Sequence, residues 1–297
     1  MHVVMTGATG GIGLAAAERL VSEPGIELTI GARRPTALPL SLTGRVRALE
    51  LDLADLDSVR AFADEAGALG PIDSFIGNAG MQVGKPALSR QGFDLTFATN
   101  HLAHYLLLRM LQPSMAQRGR VILTSSGTHD PVLKTGMPAP RHARAEWLAH
   151  PERDPQHDGS AGTAGRRAYS ASKLCNVMTI REAAVRWQDR QDLTLLAFDP
   201  GFVPGTGLAR AYPAPLAWAF RHVLPLVVRG DHVSRAPISG RALAELATAP
   251  AYAGGRGVYW SMQARIPIDR TPSMLARDPA AAAALWDDSA ALVRLRP

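Results

Sequence analysis

The chain has 297 residues, 46% of them hydrophobic and 20% charged, enough for a large core in one enlarged α/β domain or two smaller ones. Its net charge of +6 includes 32 Lys plus Arg, but the arginines are scattered and only Lys85, Lys134 and Lys173 are lysines, so the balance reads as a bias towards Arg and argues against a nucleic-acid partner. A single cysteine, Cys175, excludes an internal disulfide framework and suits a reducing cytosol, and no apolar run approaches the roughly 20 residues of a membrane span.

The first strand is expected at Val3–Met5, too early to leave room for a secretory leader, so a cytoplasmic location is expected. Thr6-Gly7-Ala8-Thr9-Gly10-Gly11-Ile12-Gly13 follows, with a helix beginning near Ile12. Glycine adopts positive φ freely and lets a phosphate approach the backbone, so Gly7, Gly11 and Gly13 between a strand and a helix suit a dinucleotide pyrophosphate. The pattern alone is also that of a structural turn; its position after an apolar strand favours the nucleotide. The second strand, Leu28–Gly31, runs into Ala32-Arg33-Arg34, with no acid at its end and Glu27 at its beginning. An acid there would accept ribose hydroxyls, whereas arginine pairs with a 2′-phosphate, so NADP(H) is predicted, held by Arg33 first and Arg34 second. The alternative is a pair of solvated surface arginines.

Further strands are predicted at Val46–Glu50, Ser74–Gly77, Arg120–Thr124, Thr194–Asp199 and near Val258–Trp260, alternating with helices that begin near Leu56, Phe93, Ala168 and Val233. This rhythm predicts an α/β fold, a doubly wound parallel sheet of the Rossmann type, in a single domain. His101 and His104 have helical spacing but no accompanying ligand pattern, so packed roles and no metal are expected. Residues 127–165, rich in Pro, Gly, Arg and His, are expected to form a partly ordered flank of the active site.

Tyr169-Ser170-Ala171-Ser172-Lys173 puts a phenol and an amine on one helix face. An ammonium beside a phenol favours the phenolate, so Lys173 is expected to lower the pKa of Tyr169, which becomes a proton donor in reduction. Residues 204–232, an apolar stretch broken by Pro204, Pro213, Pro215 and Pro225, follow a strand end and read as a lid over a small-molecule substrate. Docking on a membrane surface is the weaker reading, because Arg221 and His222 divide the run. Asp278-Pro279-Ala280 opens a last helix, whose Leu285, Trp286 and Leu292 should pack on the main domain.

Together with Asp52, Asn78-Ala79-Gly80, Asn100, Thr124-Ser125-Ser126 and Pro200-Gly201, these motifs resemble the short-chain dehydrogenase/reductase family over nearly the full length. The resemblance implies that Asp52 and Leu53 lie at the adenine, that Asn78 supports the central strand with Ala79 and Gly80 beside the cofactor, and that Val203 and Thr206 hold the nicotinamide amide after Pro200 and Gly201. It further implies that Asn100 anchors a water in a proton relay and that Ser126, the second serine of its pair, bonds the reacting oxygen. Lys173 would also reach the nicotinamide ribose.

Within the family, Ala168–Thr179, Thr128-His129-Asp130-Pro131 and Gly257-Val258-Tyr259-Trp260-Ser261 are most similar to the protochlorophyllide reductase branch and its non-photosynthetic relatives. Those pigment reductases carry a cysteine after the Pro-Gly pair, where this chain has Phe202. The expectation is therefore an NADPH-dependent carbonyl reductase, or the reverse alcohol dehydrogenase, for a bulky apolar substrate. The rivals are a pigment-type double-bond reductase and a non-catalytic NADPH sensor. No integral membrane association is expected, and the resemblance leaves a homo-oligomer open.

Overall fold

Alternate residues of the strands feed two separate apolar layers. In β1 (His2–Thr6), Val3 and Met5 belong to one buried cluster and Val4 to the other; Ile122 is set against Val121 and Leu123 in β5 (Met115–Thr124) in the same way. Leu196 and Phe198 likewise oppose Leu195 and Ala197 in β6 (Thr194–Asp199). Strands buried on both faces are the mark of a parallel sheet covered by helices on each side. The computed structural model, which describes residues 1–204 and 230–296, has that architecture.

With β2 (Glu27–Ala32), β3 (Arg47–Glu50), β4 (Ile72–Gly77), β7 (Arg256–Gln263) and β8 (Ile266–Asp269), the sheet runs β3-β2-β1-β4-β5-β6-β7-β8. The pairings from β3 to β7 are parallel, and β8 is added antiparallel to β7. The reversal between β1 and β4 is the crevice where open α/β sheets bind ligands. One face is covered by α1 (Gly11–Val21) and α5 (Ala236–Thr248), the other by α2 (Leu56–Ala68), α3 (Ala103–Leu111), α4 (Ala161–Arg186) and α6 (Pro279–Leu292). At α6 the predicted cap forms: the Asp278 carboxylate accepts from the backbone N–H of Ala280 and Ala281, both at 3.0 Å.

Three elements differ from expectation. The helix carrying Tyr169 starts at Ala161, not near Ala168. Gly165 does not break it, because this glycine admits the Val83 carbonyl to within 2.2 Å of where a Cβ would stand. The helix expected near Phe93 begins as a short turn, Leu95–Phe97, and passes through a π-helical turn, Ala98–Leu102, before α3. The sequence reading also lacks β8, a short edge strand with only its β7 side paired.

Residues 127–165 carry several short helical turns and a polar clamp. Asp158 pairs with Arg141 at 2.8 Å and Arg167 at 2.7 Å, and His142 meets Asp154 at 3.0 Å. Most of 204–232, the predicted lid, lies outside the described residues, as does Thr206. Among the described residues, no helix is long and apolar enough to cross a membrane.

Candidate active site

The loop after β1 can be built only from glycine at its closest approaches. Gly7 has φ +70°, and a Cβ there would stand 2.7 Å from the Ala79 Cα; one on Gly13 would lie 2.0 Å from the Gly7 carbonyl oxygen. A Cβ at Gly10 would meet nothing within 4 Å, so the loop faces open space. The first turn of α1 has neither an acidic residue nor a side-chain cap, leaving its N–H groups for an anion.

Thr6 locks this loop to the neighbouring strand. Its hydroxyl oxygen accepts the Asn78 and Ala79 N–H groups at 3.0 and 3.1 Å, so its one proton goes to His104 Nε2, 2.9 Å away. That assigns the tautomer: Nδ1 carries the hydrogen and donates to the Asn100 carbonyl at 3.1 Å. Burial holds His104 neutral, with its pKa pushed down to about 3. Asn78 completes the tie, donating to the Gly7 carbonyl at 3.3 Å and accepting from Thr124 Oγ1 at 3.3 Å. Ile12 is half-buried in α1. His101 is also a packed histidine, 3.0 Å from Ser289 Oγ and stacked on Phe97.

At the end of β2, Arg33 and Arg34 are exposed, and neither guanidinium has a partner among the described residues. After β3, Asp52 is exposed and turns one carboxylate oxygen back to the Ala54 N–H at 3.0 Å; half-buried Leu53 follows it. Beyond β6, Gly201 has φ +74°, and a Cβ there would lie 2.7 Å from the His232 carbonyl oxygen. This brings Pro200 and buried Val203 to the same end of the sheet. The positive-φ loop, the open helix start and the two free guanidinium groups fit a phosphorylated dinucleotide.

The chemical groups sit deeper in the same crevice. Helix α4 carries Tyr169 and Lys173, both buried, with Lys173 Nζ 5.8 Å from the phenol ring centre and donating to the Thr124 carbonyl at 3.0 Å. A Cβ on Gly80 would stand 3.2 Å from that amine. The two serines after β5 separate. Ser125 Oγ donates to the Lys173 carbonyl at 2.8 Å, fastening α4 to the strand end, while Ser126 faces Tyr169 closely enough to favour the phenolate.

Asn100 clamps the turn after β4, accepting from the Met81 N–H and donating to its carbonyl, both at 2.8 Å. Its own carbonyl takes Asn176 Nδ2 at 3.2 Å as well as His104. Asn176, one turn beyond Lys173 on α4, also donates to the Thr124 carbonyl at 3.0 Å. The sequence reading did not single it out; three residues after Lys173, it shares that residue's face of the helix.

The electrostatics differ from the sequence expectation. Burial dominates at Tyr169 and raises its pKa above the ordinary phenol value; the Ser126 hydrogen bond opposes the rise, and the charge of Asp199 adds to it. Burial lowers Lys173 to about 8, against an upward pull from Asp199. Lys173 is not among the groups that shift Tyr169, so the expected acidification of the phenol by the ammonium is not what governs it. Cys175 is a fully buried thiol, raised by burial.

Residues 1–135 match the short chain dehydrogenase family profile. Protochlorophyllide reductase A of Oryza sativa subsp. japonica is 31% identical over 314 residues, covering 99% of this chain and 80% of that protein. The chain belongs to the short-chain dehydrogenase/reductase family, and is thus an NAD(P)-dependent oxidoreductase close to the protochlorophyllide reductase-like branch. Among solved structures, a putative uncharacterized protein from Mycobacterium paratuberculosis superposes with a TM-score of 0.71 at 26% identity, covering 99% of this chain and 94% of that one. A Burkholderia cenocepacia short chain dehydrogenase, crystallised with NADP, shares the fold with a TM-score of 0.62 at 19% identity over 88% of this chain and 96% of its own.

Proposed function

We propose that this protein is an NADPH-dependent carbonyl reductase, running in reverse as an alcohol dehydrogenase, for a bulky and mostly apolar ketone. The observation that carries the reading is the buried Tyr169 phenol facing Ser126, in the same crevice as the glycine loop. When bound, the reduced nicotinamide supplies hydride to the carbonyl carbon. Tyr169 gives its proton to the carbonyl oxygen, which Ser126 steadies by hydrogen bonding. Lys173 holds the ribose beside Tyr169, and Asn100 keeps the Met81 turn in place behind them.

The glycines, with Thr6, Asn78, Ala79 and Gly80, cradle the pyrophosphate side of the cofactor; Asp52 and Leu53 flank the adenine; Pro200, Gly201, Val203 and Thr206 serve the nicotinamide amide. Arg33 and Arg34, without protein partners among the described residues, take the 2′-phosphate. The preference for a bulky apolar substrate rests on the sequence of 204–232. A cytoplasmic location belongs to the same reading.

A second reading, pigment double-bond reduction, is favoured by the names of the curated relatives, and Phe202 speaks against it because phenylalanine has no proton to give. The test follows NADPH absorbance over aromatic, steroidal and aliphatic ketones, with NADH in parallel and illuminated protochlorophyllide as a separate arm. Ketone-dependent oxidation of NADPH well above that of NADH is expected. Turnover of the pigment alone would transfer the assignment to the second reading, and NADPH binding without any turnover would make the protein a sensor.

A further inference from the structure

Directly below the reaction centre lies a carboxylate that neither the family motifs nor the mechanism above uses. Asp199 ends β6, is only 5% exposed, and accepts three hydrogen bonds: Oδ1 from the Gly201 N–H at 2.9 Å, Oδ2 from Ser261 Oγ at 2.9 Å and from the Tyr259 hydroxyl at 3.2 Å. Every partner donates, the pattern that suits an ionised carboxylate. The turn after Ser126 presses onto it, for a Cβ at Gly127 would stand 3.2 Å from Oδ2.

The ammonium of Lys173 donates to the Thr124 carbonyl at 3.0 Å, and among the described residues no salt bridge reaches Asp199. A buried anion without a contact ion pair is costly, and such groups concentrate where charge has work to do at a functional site. Were Asp199 only a tie between β6 and β7, a neutral amide would serve equally well.

We propose that Asp199 is a positioning residue of the reaction centre, whose negative charge, moored by Tyr259, Ser261 and the Gly201 amide, keeps Lys173 as the ammonium and Tyr169 as the neutral phenol. At neutral pH the site is thereby biased towards giving a proton to a carbonyl, with the reverse oxidation favoured at higher pH; this last step rests on the carbonyl-reductase reading.

The groups facing Asp199 are Tyr259 and Ser261 on β7, Tyr169 and Lys173 on α4, and His129 in the turn after β5. Arg270 acts on Tyr259 from beyond β8. Asp199 favours the protonated form of Tyr169, Lys173, His129 and Tyr259. Reduction needs Tyr169 and Lys173 protonated, so removing the charge moves the alkaline side of the pH profile in one direction only, towards neutrality.

The test is Asp199→Asn in the full chain. The amide still accepts from Gly201, and the two hydroxyls can turn to accept from it. NADPH affinity by fluorescence and ketone reduction by pyridine absorbance are followed from neutral to alkaline pH, using whichever ketone the wild type reduces fastest. Both alkaline limbs should move down by about one pH unit, a tenfold effect at a fixed pH on the limb. Ser261→Ala, which loses one mooring but no charge, should leave them in place. Limbs unmoved in Asp199→Asn, or moved equally by Ser261→Ala, would overturn the proposal.

If Asp199→Asn fails to fold, Asp199→Ser is the uncharged substitute, because a hydroxyl can also accept from the residue two positions on. It carries the same expectation. Should the wild type bind NADPH but reduce no ketone, the carbonyl-reductase reading fails, while the binding limb still decides whether the charge of Asp199 acts on Lys173.

Discussion

At the amino-terminal ends of the strands, arginine holds the protein together; at the carboxyl-terminal end of β2, two arginines have no protein partner among the described residues. Arg120 donates to the Leu246, Thr248 and Ala249 carbonyls where α5 ends, and Arg256 to those of Ala184, Trp187, Arg190 and Leu193 where α4 ends. Arg190 reaches the carbonyls of Gln112, Met115 and Ala116. Helix C-termini carry unpaired carbonyls and partial negative charge, which a guanidinium fork satisfies several at a time. At the other end, Arg33 and Arg34 have no protein partner among the described residues. The same side chain therefore ties structure together at one end and, at the end of β2, is the one proposed for the 2′-phosphate; much of the chain's basic character needs no nucleic acid to explain it.

This contrast breaks first at Arg120, where the largest effect on stability is expected. Arg120→Met leaves three carbonyls without their charged donor and should cost about 3 kcal/mol, the scale of one to two charge-assisted hydrogen bonds, read from chemical denaturation. NADPH affinity should stay within about twofold of wild type, since a twofold change is well under 1 kcal/mol. A matching fall in affinity would mean that the two ends are not separate. The paired change Arg33→Ala with Arg34→Ala should do the reverse. The preference for NADPH over NADH should drop by about 10- to 100-fold, about 1.4 to 2.7 kcal/mol, with the denaturation midpoint unchanged. Loss of stability there, or an unaltered preference, would return both arginines to the solvated surface.

The sequence made the carboxyl-terminal end legible and left the other end obscure. Gly7, Gly13, Tyr169 and Lys173 form local patterns whose spacing already states their geometry, and the seven parallel strands follow from short apolar runs between helices. Arg120, Arg256 and Asp199 carry no local pattern, because the side chains that Asp199 binds lie 60 or more residues away and the carbonyls that Arg120 binds up to 129 away. Short-range periodicity contains nothing about such contacts. The protonation states are hidden from the sequence for a related reason: the Tyr169–Lys173 spacing suggests mutual tuning, but burial and Asp199, both properties of the assembled fold, outweigh it. The start of α4 at Ala161 is likewise a property of the assembled fold, for Gly165 sits inside the helix where the Val83 carbonyl comes close.

The central claim is that the phenol of Tyr169 supplies the proton in a hydride transfer to a carbonyl. The direct measurement is Tyr169→Phe, with NADPH binding followed by fluorescence and ketone reduction by pyridine absorbance in the same preparation. Turnover should fall by about 10²- to 10⁴-fold, the usual contribution of a positioned acid, while binding persists. Undiminished turnover with binding intact would contradict the account.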